Sequence, residues 1–249
     1  MIAMGDQSAR GLRRFLPAWW REALDPATAD LRAFVTSAAE EVPPGALMLD
    51  AGAGEGQYRL LFAHTRRVAA DFAKGDATWD YSGLDVICDL HRIPFRDAAF
   101  DAALCTQVLE HLPEPWTALE ELARCMKPDA VLILSVPLTG EEHQRPYDFY
   151  RYTSFGIRHL LERAGFSVDR MQRLGGQFRI AALIVPRLNE MAWSRPLRIA
   201  LFPLYALSKL MLGAVAPLIL YHLDRRDAAK DMALNLGVVA RRRSRQRAS

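Results

Sequence analysis

Short apolar runs, closed by acidic residues or glycines, recur along the chain and predict buried strands. They fall at Leu47-Met48-Leu49-Asp50, Arg67 to Asp71, Gly83 to Leu90, Phe100 to Cys105, Ala130 to Val136, Phe166 to Leu174 and Leu234 to Ala240. Continuous runs of this kind suit parallel strands covered on both faces. Between them the apolar spacing changes to three and four. Pro26 to Glu41 sets Leu31, Phe34 and Val35 on one face and predicts a helix, ended by Val42-Pro43-Pro44-Gly45. Gln57 to Thr65 predicts the first crossover helix. Trp116 to Met126 predicts another, with Pro115 at its start, Lys127 suiting its negative end and Pro128 stopping it. Thr153 or Ser154 can cap the next, and Gly165 gives it a left-handed stop. Alternating strands and helices predict an α/β, Rossmann-like doubly wound sheet.

The pattern breaks between the last two strands. Residues 177–230 form an insertion whose centre, Leu197 to Leu223, is almost wholly apolar. Lys209 interrupts it, and Pro203 and Pro217 are expected to break its helices, which argues against a simple membrane span. Two short helices could cap the domain, pair two copies as a homodimer, or lie in a bilayer interface. Arg195, Arg198, Arg225 and Arg226 at the flanks suit the last. The expected division is an N-terminal helical segment over 1–44, a core over 45–176, the insertion over 177–230, a last core strand over 231–240 and a basic tail over 241–249.

Composition changes this picture little. About half the 249 residues are hydrophobic, enough for a sizeable core. The net charge of +3 comes from the tail, where Arg241, Arg242, Arg243, Arg245 and Arg247 cluster; the remainder is slightly acidic. No nucleic-acid face is expected. The basic tip reads as a solvated end or as an anchor for anionic lipid. Cys88, Cys105 and Cys125 show no CxxC pairing and read as core thiols of a reducing compartment. The N-terminus lacks a basic flank leading into an apolar stretch, so no signal peptide is expected. A cytoplasmic protein follows, with association at the inner face of the membrane as the open alternative.

Candidate chemistry starts after the first strand, at Asp50-Ala51-Gly52-Ala53-Gly54-Glu55-Gly56. Glycines here let backbone approach a ligand closely. A dinucleotide fingerprint needs its third glycine at position 57, where Gln57 stands. The spacing instead resembles motif I of the class I S-adenosylmethionine-dependent methyltransferases, with Asp50, Gly52, Gly54 and Gly56 in its four slots. A nucleoside also needs an acid at the second strand's end to accept from both ribose hydroxyls, and Asp71 stands there. Asp89 closes the third strand. It can accept from an exocyclic amine, with the Leu90 amide donating to a ring nitrogen; Asp89 and Ile93-Pro94-Phe95 resemble the family's adenine-binding stretch. Phe100 to Leu112, "FDAALCTQVLEHL", resembles the motif IV region of the small-molecule branch, which adds Gln107 to the cofactor set. The resemblance covers residues 45–176 and the last strand. It implies S-adenosylmethionine as cofactor, seven strands with the last antiparallel between the fifth and sixth, and N-terminal helices as a lid that could use Trp19 or Trp20.

Methyl transfer rests on positioning and desolvation. A hydroxyl acceptor would want a general base, and His111 is the first candidate, followed by His143 and Asp148. The long loop Leu138 to Tyr152 interleaves aromatics with arginines, which nominates Arg145, Tyr147 and Tyr150 for the acceptor. Its "PYDFYRYT" resembles a phrase of bacterial members associated with polysaccharide or glycolipid synthesis. O-methylation of a small-molecule, saccharide or lipid-linked acceptor is therefore expected. His64, His91, His159 and His222 read as surface or packing residues, and no metal site is expected from the spacing of His, Cys and carboxylates. Two rivals stay open: a catalytically inactive membrane-associated scaffold and a nicotinamide-dependent oxidoreductase.

Overall fold

The computed structural model describes residues 18–75 and 78–244. The first part of the expected N-terminal lid, the Trp19 side chain and the tail residues Arg245 and Arg247 lie outside the described residues. The chain forms two compact units, one built on Leu31–Gln172 with the C-terminal strand, the other on Arg173–Leu234 with the helical residues before Leu31.

The first unit is organised by a seven-stranded sheet: β1 (Leu47–Ala51), β2 (Arg66–Asp71), β3 (Val86–Ile87), β4 (Phe100–Thr106), β5 (Met126–Pro137), β6 (Phe166–Leu174) and β7 (Asn235–Arg242). Their order is β3-β2-β1-β4-β5-β7-β6. The β1–β2, β1–β4, β2–β3 and β4–β5 pairs are parallel. β7 runs antiparallel to β5, from Val131 opposite Arg241 to Pro137 opposite Asn235. Leu49, Leu104, Leu132, Ile133 and Val239 are fully buried, as strands covered on both faces require. Gly237 in β7 has a packing reason: a Cβ there would stand 2.7 Å from the ring of Phe34, in the helix Pro26–Ala39. The parallel strands all end on one edge of the sheet, the edge where ligands bind in open α/β folds.

Three local expectations needed correction. Residues 57–65 are a succession of single turns rather than a crossover helix. Their bonds run three residues back, as in Arg59 N–H to Gly56 O and Leu61 N–H to Tyr58 O. Gly54 and Gly56 hold positive φ at the entry, and the few residues left before β2 cannot nucleate a regular helix cheaply. β3 keeps only two residues, because it pairs on one side with β2 alone. The helix Pro115–Cys125 turns directly into extended chain at Met126, so Lys127 reaches Asp101 at 2.6 Å instead of the helix end. The helix Ser154–Arg163 is as expected: Thr153 Oγ1 accepts from Gly156 N–H at 3.0 Å and Gly165 follows at φ +92°.

The second unit is helical. Numbering the helices of both units in chain order, α1 is Ala18–Leu24, α2 Pro26–Ala39, α3 Pro115–Cys125, α4 Ser154–Arg163, α5 Gln177–Ala192, α6 Arg195–Ala200, α7 Phe202–Leu210 and α8 Ala216–Leu223, of which α3, α4 and most of α2 belong to the first unit. The start of α5 is capped from afar. Asp224 accepts from Gly176 N–H and Arg179 N–H, and Asp227 accepts from Gln177 N–H. Arg179 also pairs with Asp30 and lies over the Tyr221 ring.

Pro217 does not break the apolar segment, whereas the helix does stop at Leu201, two residues before Pro203. Phe202–Arg226 is one continuous 25-residue helical stretch. Pro203 falls in the first turn of α7, where its missing N–H costs nothing. Before Pro217, Met211–Val215 form a π-helical turn, with Ala216 N–H bonding to Met211 O five residues back. That wider turn takes the strain a proline ring otherwise puts on the preceding turn. By length and composition this stretch could cross a membrane, and only 6% of its most apolar window is buried.

Candidate active site

The glycine loop is built as a cradle. Gly52, Gly54 and Gly56 all have positive φ, at +78°, +51° and +68°. A Cβ on Gly52 would stand 2.2 Å from Val108 Cγ2, and one on Gly54 would stand 3.1 Å from the Trp79 ring. The loop hangs from β2, since the Gly52 and Ala53 amides both donate to Ala70 O. Beneath it Asp50 is buried and accepts from Arg67 Nη1 at 2.7 Å. Burial pushes the Asp50 carboxyl up, and the Arg67 hydrogen bond and charge pull back against it. Asp50 is therefore the loop's internal support.

Asp71 closes β2 at the loop's lip. One carboxylate oxygen accepts from Gly54 N–H at 2.9 Å and the other from Ala73 N–H at 2.8 Å. Each oxygen keeps a second lone pair, enough for a pair of vicinal hydroxyls. Asp89 accepts from the His91 amide at 2.9 Å and ring at 2.6 Å, both through Oδ1. Burial pulls its carboxyl upward, but the His91 contacts outweigh that and hold it below the usual range. His91, expected at the surface or in packing, is thus Asp89's partner. Leu90 is buried beside it. Gln107, at the end of β4, takes φ +55°, its amide donating to Ser135 O and its side chain to Ser135 Oγ. A non-glycine residue in that conformation at a strand tip is a constrained one. Trp79, which no sequence pattern singled out, packs against Gly54 with its indole N–H buried and without an acceptor.

The fold then gathers a cluster that spacing did not reveal. A tight turn at Leu109–His111 points Glu110 inward, where it is fully buried. The loop 138–152 is stitched over it: Phe149 and Tyr150 amides donate to Glu110 O, and Tyr152 Oη–H donates to Leu109 O. This brings His143 against His111, with ring centroids 4.8 Å apart and planes at 84°. His111 Nδ1 lies 2.5 Å from Tyr147 O, and its Nε2 lies 3.9 Å from Glu110 Oε1. Burial pushes the Glu110 carboxyl up to about 8 and holds both imidazoles down, His143 to about 4. Near neutral pH both rings are uncharged.

Asp148 is a positioning group here and is poorly suited to be a base. Burial raises its affinity for a proton, but two bonds from Arg151 and one from His143 N–H bring it to about 2. Tyr150 spends its hydroxyl on Pro113 O, at 2.9 Å, which makes it part of the loop's anchorage. Tyr147 and Arg145 remain exposed, Arg145 beside Glu142 at 3.2 Å.

A family model described as a methyltransferase domain matches residues 49–134, the stretch from the glycine loop to β5. Over that stretch the chain is similar to the class I S-adenosylmethionine-dependent methyltransferases. Similar sequences point the same way. An uncharacterized methyltransferase of Mycobacterium leprae is 33% identical over 101 residues, covering 37% of this chain and 38% of that protein. One from Mycobacterium tuberculosis is 32% identical over 103 residues, covering 38% and 41%. The match spans less than half the length of either relative. In structure, the chain is similar in fold to a Burkholderia thailandensis 1,6-didemethyltoxoflavin-N1-methyltransferase solved with S-adenosylhomocysteine, with a TM-score of 0.52 and 20% identity, covering 98% of this chain and 92% of that one. It is also similar to the [4+2]-cyclase SpnF, with a TM-score of 0.51 and 22% identity, covering 84% and 80%. These likenesses are of fold, and a fold alone does not name a reaction.

Proposed function

We propose that this protein transfers a methyl group from S-adenosylmethionine to an oxygen of a small amphiphilic or lipid-linked acceptor. The observation that carries the cofactor half is the junction of Asp71 with the Gly54 amide. One carboxylate both shapes the loop and keeps lone pairs for a ribose. The residues present fit an adenosyl ligand: bare backbone at Gly52, Gly54 and Gly56, acids at Asp71 and Asp89, and an indole donor without an acceptor at Trp79. Bound S-adenosylmethionine supplies a methyl on a positively charged sulfur, already activated for displacement. The protein's task is then to orient and to exclude water. Glu110, His111 and His143 form the polar centre on the acceptor side, where a neutral imidazole can take a hydroxyl proton.

The test of the cofactor half is calorimetric. S-adenosylhomocysteine should bind and NAD should not, since Gln57 replaces the glycine a dinucleotide needs. Asp71→Ala should weaken the adenosyl ligand by about 100-fold, the worth of two hydrogen bonds to a charged acceptor. An unchanged affinity would remove Asp71 from the site. Labelled methyl transfer into fractionated cell extract tests the acceptor. Label is expected in the lipid and glycolipid fraction; label only in protein or nucleic acid would overturn that choice. Binding without turnover on any fraction would favour the inactive scaffold.

The amphiphilic acceptor is argued from the helical unit. Phe202, Leu204, Leu207, Leu210 and Ile219 are each more than half exposed. Arg195, Arg198, Arg225 and Arg226 flank them. An apolar face rimmed by arginine suits the headgroup boundary of an anionic bilayer. The protein should therefore float with anionic vesicles. Exposed leucines each contribute about 1.5–3 kcal/mol when buried, so Leu204→Gln with Leu207→Gln should cut partitioning at least about tenfold. Equal flotation of the double variant would exclude this face, and a stable dimer by light scattering would name a second copy as its cover.

A further inference from the structure

We propose that Glu110, His111 and His143 bind a divalent transition-metal ion. One ligand atom from each lies within 4.8 Å of the others. Glu110 is 0% exposed, and both of its carboxylate oxygens lack a hydrogen-bond partner. The Nε2 atoms of His111 and His143 are likewise buried without partners. Four buried polar atoms without such partners in one small space are costly unless something fills them. Apart from the Glu110 amide, which leans on its own carboxyl group, no donor from the described residues does so.

The ring tautomers fit the same reading. His111 Nδ1 faces a carbonyl, Tyr147 O, so Nδ1 carries the proton and donates. His143 Nδ1 lies 3.2 Å from Glu141 O and 3.4 Å from Asp148 Oδ2, both acceptors. Arg151 Nη2 is also 3.4 Å away, but shorter bonds to Glu141 O at 2.6 Å and Asp148 Oδ2 at 2.8 Å use its two hydrogens. His143 Nδ1 is therefore a donor too. Each Nε2 is left with a lone pair, and each ring is fixed by an oxygen behind it. Metal-bound histidines are oriented in this way. Asp148, locked by Arg151, is the outer support of His143.

Two imidazoles and one carboxylate suit zinc, cobalt, manganese or iron in the divalent state far better than magnesium or calcium. Bonds of about 2.0–2.2 Å would draw the three atoms to about 3.4 Å apart, a change within the reach of side-chain rotation. Three protein ligands leave at least one coordination position for an acceptor oxygen; with the imidazole lone pairs taken up, the ion itself would acidify that hydroxyl in place of an imidazole base, its proton passing to solvent. That use rests on the methyl-transfer reading; the binding itself does not.

The full chain, stripped with a chelator and dialysed, is titrated with Co2+ and with Zn2+. A visible ligand-field band with Co2+, saturating at one equivalent and displaced by Zn2+, is expected. His143→Ala should weaken Zn2+ binding by at least about 100-fold in calorimetry, and Asp148→Asn by about tenfold through the outer support. A stripped wild-type protein that takes up no ion overturns the proposal without recourse to any variant. So does a folded His143→Ala, judged by its thermal unfolding, that binds as wild type. The Co2+ band is a readout that a merely structural cluster would not produce.

Discussion

Gly52→Ala should abolish measurable binding of S-adenosylhomocysteine. The glycine sits at φ +78°, where an alanine costs about 1 kcal/mol or more. Its added Cβ would also stand 2.2 Å from Val108 Cγ2 and 3.0 Å from Cγ1. Val108 cannot retreat cheaply, because it packs on the buried core beside Leu109. The loop must move instead, and overpacking adds about 1–3 kcal/mol. Moving it pulls the Gly52 and Ala53 amides from Ala70 O and drags Gly54 off Asp71. Together these should weaken affinity by at least about 100-fold in calorimetry. Adding Val108→Ala should recover part of the loss, because it opens space and leaves only the backbone penalty. Affinity within about threefold of wild type in the single variant would mean the cradle is not where the cofactor lies.

The second large effect is on stability. Arg67→Met should cost about 3–5 kcal/mol near neutral pH, because it leaves Asp50 buried without its partner. The sign of the pH dependence follows. Burial already raises the Asp50 carboxyl in the folded state, while Arg67 lowers it by hydrogen bond and charge. Without Arg67 it rises further. Folded protein then holds a proton in a pH range where unfolded protein has released it. Stability falls as pH rises through that range, which starts near the unfolded value of 3.8 and extends upward. The deficit of the variant against wild type should therefore be smaller at about pH 5 than at about pH 8 in urea unfolding. A deficit that is equal at both would mean that Asp50 stays ionised and finds another partner.

The strands were legible because each is a short apolar run, and β6 spans the residues the pattern names. The place of the last strand, antiparallel between the fifth and sixth, came from the resemblance, and it holds. The glycine loop was legible because alternate glycines at a strand end have few other uses. Long-range pairing was not. Nothing in the sequence ties Arg67 to Asp50 or Asp224 to the start of α5, since such partners meet only after the sheet or the helices pack. The Glu110, His111 and His143 group was hidden for the same reason, with a long loop between its members. Pro217 misled for a local reason. It lies in the first turn of a helix behind a π-helical turn, which leaves no plain mark in residue type.

One consequence of the strand order concerns how the protein is made. β5 and β6 are finished early, yet the strand that lies between them is drawn from residues beyond the whole helical unit. A nascent chain leaving the ribosome must therefore carry two open strand borders while its most apolar segment is being synthesised. Unpaired borders beside exposed leucines invite association with other chains. Slow translation across the helical segment should thus lower the yield of native protein, and holding chaperones should raise it.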